Sequence, residues 1–115
     1  MTYPSDSFKN EIVQRIFRNF LDVMILKLVQ VEPMWGYKII RYVENVYGIK
    51  LRHGALYPLL NNLEKKGLLR SRKEAKGGRV RKVYEVTSKG IQLANAYDEF
   101  LRTQMEQTAQ QIRIM

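Results

Sequence analysis

A chain of 115 residues has room for one domain with a modest core, not for two independent ones. Its 45% apolar and 27% charged residues match an ordinary folded globule rather than a disordered chain, even at a net charge of +9. With no cysteine, no disulfide framework or thiolate metal site is possible, and no uncharged run approaches the roughly 20 residues of a membrane span, so the expected location is the cytoplasm.

Ser5 or Ser7 can cap a first helix, along which Phe8, Ile12, Ile16, Phe20, Met24 and Leu28 recur in steps of four. A step of four overshoots the 3.6-residue turn by about 40°, so the stripe wraps roughly halfway round the helix. One partner cannot cover such a surface. Either the helix breaks near Arg18 to Asp22, or its first half packs on another subunit while its second half packs on its own domain; the second account is favoured. Pro33 ends the segment. A second helix follows from Gly36 to Tyr47, with Ile39, Ile40 and Val43 on one face and Gly48 as its stop. Six linking residues lead to a third helix-like run, Ala55 to Lys66, closed by Gly67. Its buried stripe is Leu56, Leu59 or Leu60, and Leu63; His53, Tyr57, Asn61, Asn62 and Lys65 occupy the opposite face.

Leu68 to Lys73 and Arg81 to Val86 read as a hairpin whose loop is marked by Gly77 and Gly78. Thr87 can cap a last helix reaching about Gln111, in which Ala94, Tyr97, Leu101, Met105, Thr108 and Ile112 recur at spacings of three and four. The order helix, helix, helix, hairpin, helix predicts a mainly α fold with a small β-hairpin, a winged helix-turn-helix with flanking helices. The expected division is an N-terminal extension over 1–20, the winged unit over 21–88 and a C-terminal dimerisation helix over 89–115.

The charge is placed rather than spread. Residues 35–90 hold fourteen cations against four acids, while the flanking segments are close to neutral. Such a block attracts polyanions, with a strength that falls steeply as salt rises. A helix can enter a major groove about 12 Å wide while a cationic hairpin tip reaches the neighbouring backbone or the narrower groove. Candidate recognition-helix residues are therefore Arg52, His53, Ala55, Tyr57, Asn61, Asn62 and Lys65, with Lys76, Gly77, Gly78, Arg79, Arg81 and Lys82 on the wing and Tyr37 and Lys38 toward the DNA backbone. Arg79 and Arg81 suit minor-groove entry, Lys76 and Lys82 phosphate neutralisation. Each has a plainer reading: Tyr57 can pack at the helix start, asparagines on a helix face are commonly just solvated, and charge runs usually serve solubility. Trp35 is expected to pack at the second-helix junction. His53 alone makes no metal site, and no paired acid and base or nucleophile with its base can be assembled, which argues against an enzyme and against any cofactor.

Four motifs carry a resemblance: Trp35-Gly36-Tyr37-Lys38-Ile39; Gly54-Ala55-Leu56-Tyr57-Pro58-Leu59-Leu60 with Leu63-Glu64 and Gly67-Leu68; Gly77-Gly78-Arg79 through Arg81-Lys82-Val83-Tyr84; and Thr87 with Gly90. In this order and spacing, over roughly residues 20–95, they resemble the PadR family of transcriptional regulators. The resemblance implies a homodimeric repressor of the winged-helix type, dimerised through its N- and C-terminal helices and often released from DNA by a small aromatic or drug-like effector. The short tail resembles the subgroup with a single C-terminal helix. On that basis the dimer contacts are expected at Phe8, Ile12, Ile16, Tyr97, Leu101, Met105, Thr108 and Ile112. The family usually opens its third helix with serine and proline, where this chain has Arg52 and His53, and Arg72 and Lys73 stand where an aromatic often follows the first wing strand. Those differences border the expected DNA surface and imply a different site. The expected function is sequence-specific binding of double-stranded DNA by a homodimer at a pseudo-palindromic operator. The alternatives are a ligand-sensing dimer module and a non-specific, chromatin-like coating protein.

Overall fold

Helix α1 spans Asp6–Val31 but is not one rod, because Phe20 leaves helical geometry at φ −127° and ψ 23°. The computed structural model describes residues 6–114, so the expected cap at Ser5 lies outside the described residues. Of the two accounts of the wandering apolar stripe, the less favoured one is correct as to the helix itself: it breaks inside the Arg18–Asp22 window. Beyond the break, Val23, Ile25, Leu26 and Val29 are buried; before it, Phe17 is buried and meets Tyr47 edge-on at 4.9 Å, while Phe8, Ile12 and Ile16 remain exposed.

A short strand follows. β1, Met34–Trp35, pairs antiparallel with a later strand, matching Met34 to Tyr84 and Trp35 to Val83. Two residues are too few to show alternation in the sequence. Helix α2, Gly36–Tyr47, has the expected limits and buries Gly36, Ile39, Ile40 and Val43. Helix α3, His53–Lys65, opens two residues earlier than its apolar pattern suggested: the Arg52 carbonyl accepts the Ala55 and Leu56 N–H groups at 3.0 Å each. Leu56, Leu60 and Leu63 are its anchors, so the choice between Leu59 and Leu60 falls to Leu60. Truncating any of these three to alanine would cost about 2–5 kcal/mol, so the helix is firmly seated.

Strands β2, Leu69–Lys76, and β3, Arg79–Val86, form a longer hairpin than expected, turning on Gly77 and Gly78 alone. Both glycines have positive φ, 59° and 77°, as a two-residue turn matched to strand twist requires. The sheet order is β1-β3-β2. Tyr84 and Leu69 on its inner face join Ile39, Leu56 and Leu60 in one core.

Helix α4, Ser88–Ile114, is fastened at its start. The Thr87 Oγ1 accepts the Gly90 N–H at 3.1 Å and donates to the Gly67 carbonyl at 2.6 Å, while the Thr87 N–H donates to the Leu68 carbonyl at 3.1 Å. Over 27 residues it is about 40 Å long. Only Gly90 and Ala94 are buried, and the second half runs clear of the domain. The radius of gyration, 17.0 Å, accordingly exceeds the roughly 13 Å of a compact chain this size.

Candidate nucleic-acid interface

The expected recognition face of α3 is open. Arg52, His53, Ala55, Tyr57, Asn61, Asn62 and Lys65 are all exposed, opposite the buried leucines. Tyr57 is held in place although the residue is 38% exposed. One face stacks on His53, with ring centroids 5.6 Å apart and planes within 11°. Its hydroxyl sits against the start of α2, so close that a Cβ on Gly36 would stand 2.5 Å from it. The Trp-Gly-Tyr and Leu-Tyr-Pro motifs thus meet in space: the glycine of one makes room for the tyrosine of the other.

The wing brings its cations to the same side. Tyr57, Gly36, Trp35, Arg79, Val80, Arg81 and Lys82 line one cleft of about 280 Å³ between α3 and β3. Register shows how the hairpin sorts its charges. Opposite signs face each other across the ladder at Arg70 with Glu85 and Glu74 with Arg81, while like charges face each other at Lys73 with Lys82 and, next to the turn, at Lys76 with Arg79. Like charges directly opposed cost stability. Glu85 pairs with Arg70 at 3.1 Å and also with Arg72, while Glu74 pairs with Arg72 at 3.4 Å.

Lys82, expected to neutralise phosphate, is not a free cation. It pairs with Glu64 at 3.3 Å, and Ser71 hydrogen-bonds the same carboxylate. That hydroxyl, more than Lys82, holds the Glu64 carboxyl below the ordinary range, against a burial effect that would raise it. Burial works against the charged Lys82, yet the Glu64 carboxylate and the nearby Tyr84 outweigh it and raise its value. Desolvation raises Tyr84, so this phenol stays neutral under the sheet.

Arg81 also departs from the picture of a free finger. Its guanidinium carbon lies 3.8 Å from the centre of the Trp35 ring, and Trp35 in turn contacts Tyr37 at 5.3 Å. Lys38 is paired with Glu32, and the Tyr37 hydroxyl accepts from Arg41 at 3.0 Å, so the two candidate backbone residues are exposed but engaged. The cations on this side that no carboxylate holds among the described residues include Arg52, Lys65, Lys73, Lys76 and Arg79. Lys73 and Trp35 were not among the expected site residues. For Lys73 the signal was present: counting back from Gly77-Gly78 sets it opposite Lys82.

Of the expected dimer residues, Ile16, Tyr97 and Leu101 border one apolar cleft between α1 and α4, where Phe20 meets Tyr97 edge-on at 6.2 Å and Lys27 binds Asp98 at 2.5 Å. Phe8, Ile12, Met105, Thr108 and Ile112 are exposed away from it, as is Phe100. Among the described residues no group of acids and histidine could hold a metal, and no helix is long and apolar enough to cross a membrane.

A family model described as the transcriptional regulator PadR-like family matches residues 25–96. No curated protein matches the chain. Among solved structures, a PadR family transcriptional regulator from Eggerthella lenta is 25% identical over 93% of this chain and 94% of its own, with a TM-score of 0.73. A PadR-like transcription factor from Bacteroides fragilis, also 25% identical, covers 85% and 95% with a TM-score of 0.72. A PadR family transcription regulator from Clostridium difficile shares the fold at 24% identity, covering 78% and 98% with a TM-score of 0.68.

Proposed function

The chain belongs to the PadR-like family of transcriptional regulators, DNA-binding proteins of the winged-helix type, and from that premise we propose that it is a repressor acting as a homodimer on a pseudo-palindromic operator. In this reading α3 enters the major groove with Arg52, His53, Tyr57, Asn61 and Asn62 toward the bases and flanking phosphates. Lys65 and the wing tip, Lys76 to Arg79, neutralise backbone alongside. The first half of α1 and the second half of α4 form the dimer contact, which sets two recognition helices about 34 Å apart. We read the protein as non-catalytic and cytoplasmic, divided into an extension over 1–20, a DNA-reading unit over 21–88 and a dimerisation helix over 89–115.

The observation that carries this reading is the shared cleft: an exposed helix face and a cationic hairpin, joined by Tyr57, Arg79 and Arg81, on one side of the molecule. Further support comes from the like-charged pair, Lys76 with Arg79, that the hairpin keeps next to its turn. For the dimer, the support is the apolar surface on α4, where Met105 is 74% and Ile112 67% exposed. A small aromatic effector would find an apolar groove of about 450 Å³ between α1 and α2, bordered by Met24, Leu28, Tyr42 and Tyr47.

The decisive measurement is affinity for the DNA upstream of the protein's own gene, at near-physiological salt and with excess competitor. Tighter binding there than to random duplex is expected; equal affinity would replace the specific repressor by a non-specific coating protein. Sedimentation at micromolar concentration tests the dimer, which a monomer would refute.

A further inference from the structure

Arg81 makes the closest cation–ring contact among the described wing residues, its guanidinium carbon 3.8 Å from the centre of the Trp35 ring against 5.4 Å for the Lys82 ammonium over Tyr84. Its natural ion-pair partner is close at hand. Glu74 stands directly across the ladder, yet Glu74 turns to Arg72 instead, and no carboxylate holds Arg81 among the described residues. Stacking occupies only the face of a guanidinium. The five N–H donors lie in its plane and stay free, held in a fixed orientation that suits a two-pronged bond to a phosphate.

Arg81 and Trp35 together form the ridge between two clefts. The outer one sets Glu32 and Glu74 against Lys38 and Arg72, with which they pair, so beside Arg81 only Lys76 adds an uncompensated positive charge there. The cleft toward α3 has no carboxylate in its lining and adds Arg79, Lys82 and the Tyr57 hydroxyl end. An anion therefore favours the side on which the recognition helix lies.

We propose that Trp35 is a positioning residue that preorganises Arg81 as a bidentate ligand for one backbone phosphate of the bound duplex, in the cleft between α3 and β3. The proposal rests on the DNA-binding reading and changes the part Arg81 plays in it, from a finger in the minor groove to a fixed phosphate anchor. A stack restricts the arginine before binding, so less side-chain freedom is lost when the phosphate arrives.

The test uses the full chain and a random-sequence duplex of about 20 base pairs, because a phosphate contact is blind to sequence. Affinity is measured by fluorescence anisotropy across a salt series. Arg81→Ala should flatten the logarithmic salt slope by about 0.9. Arg81→Lys keeps the charge but loses the planar fork, so it should weaken binding about fivefold with the slope unchanged. Trp35→Leu keeps apolar bulk without the aromatic face and should give the same loss and the same slope, while Trp35→Phe should restore most of the affinity. The Trp35→Leu/Arg81→Lys double variant should be no weaker than either single variant, since both break one unit. Trp35 is the only tryptophan, so the emission of the free protein should change in Arg81→Ala if the stack exists in solution.

Wild-type affinity in Arg81→Lys, multiplying losses in the double variant, or Trp35→Phe as weak as Trp35→Leu would each overturn the proposal. Should Trp35→Leu fail to fold, Arg81→Lys and the Arg81→Ala emission decide alone. A Lys76→Ala/Arg79→Ala variant separates the two levels: if it loses affinity while the Arg81 variants do not, the proposal falls and DNA binding stands. If the wild type binds no duplex, both fall.

Discussion

Replacing Gly90 by alanine should be among the most damaging single-methyl changes in the chain. The added Cβ would stand 2.3 Å from the Leu68 carbonyl oxygen and 2.7 Å from Val86 Cγ2. Carbon approaches oxygen no closer than about 3.3 Å, so the start of α4 must retreat by roughly 1 Å. The first obstacle is backbone, and no side-chain rotation can clear it. The retreat stretches the Thr87 N–H bond to Leu68, now 3.1 Å, and the Thr87 hydroxyl bond to Gly67, now 2.6 Å. Two weakened hydrogen bonds cost about 1 kcal/mol each. Overpacking adds about 1–3 kcal/mol, and the better helix propensity of alanine returns up to about 1 kcal/mol.

The net loss is about 2–4 kcal/mol, a large share of the 5–15 kcal/mol typical of a domain. In urea, with a slope of about 1–3 kcal/mol per molar, the midpoint should fall by roughly 1–2 M at fixed protein concentration. Gly54→Ala is the control. Nothing lies within 4 Å of its Cβ position and its backbone is helical, so it should be neutral or slightly stabilising. An unchanged or raised midpoint for Gly90→Ala would refute the close approach of α4 to the hairpin root.

Gly36→Ala should behave differently, because its clash at 2.5 Å is with the free end of the Tyr57 side chain, which can swing into solvent. A stability loss under about 1 kcal/mol is expected, with about a tenfold loss of duplex affinity as the phenol leaves the cleft; an intact affinity would remove Tyr57 from the interface. Because Ser71 and Lys82 depress Glu64 in the folded state, its contribution is present above the unfolded value, near 4.3, and lost as pH falls through the lowered folded value. Ser71→Ala should therefore shift the acid end of the stability profile to higher pH, and an unchanged acid limb would refute the coupling. Leu101→Glu with Met105→Glu, both at exposed positions, should yield a folded monomer by sedimentation with an unaltered circular dichroism spectrum; a persistent dimer would move the interface elsewhere.

What the sequence made legible follows from repetition. Helices α2 and α3 and the last helix announce themselves over several turns, and Gly77-Gly78 fixes the register of the whole hairpin, from Lys76 with Arg79 to Leu69 with Val86. β1 was hidden because two residues show no period, although Met34 is buried and pairs with Tyr84. The break at Phe20 was visible only as a conflict between a four-residue step and a 3.6-residue turn, which says that something must give but not which account holds. The engagement of the cations was out of reach for another reason. Whether Arg81 meets Glu74 or Trp35 depends on a strand pairing between segments some fifty residues apart, and no local pattern encodes it.

The placement of the acids argues that the hairpin charge is maintained for a partner rather than for solubility. Of the four acids in residues 35–90, Glu64, Glu74 and Glu85 all hold cations, and none of them stands in the pair next to the turn. A wing selected only to stay soluble would gain stability by exchanging one residue of the Lys76–Arg79 pair for an acid, since opposite signs across a ladder are worth a few tenths to one kcal/mol over like signs. This hairpin uses such pairs at Arg70 with Glu85 and forgoes them at its tip. The tip and the open face of α3 are therefore left with cations that only an outside anion can satisfy.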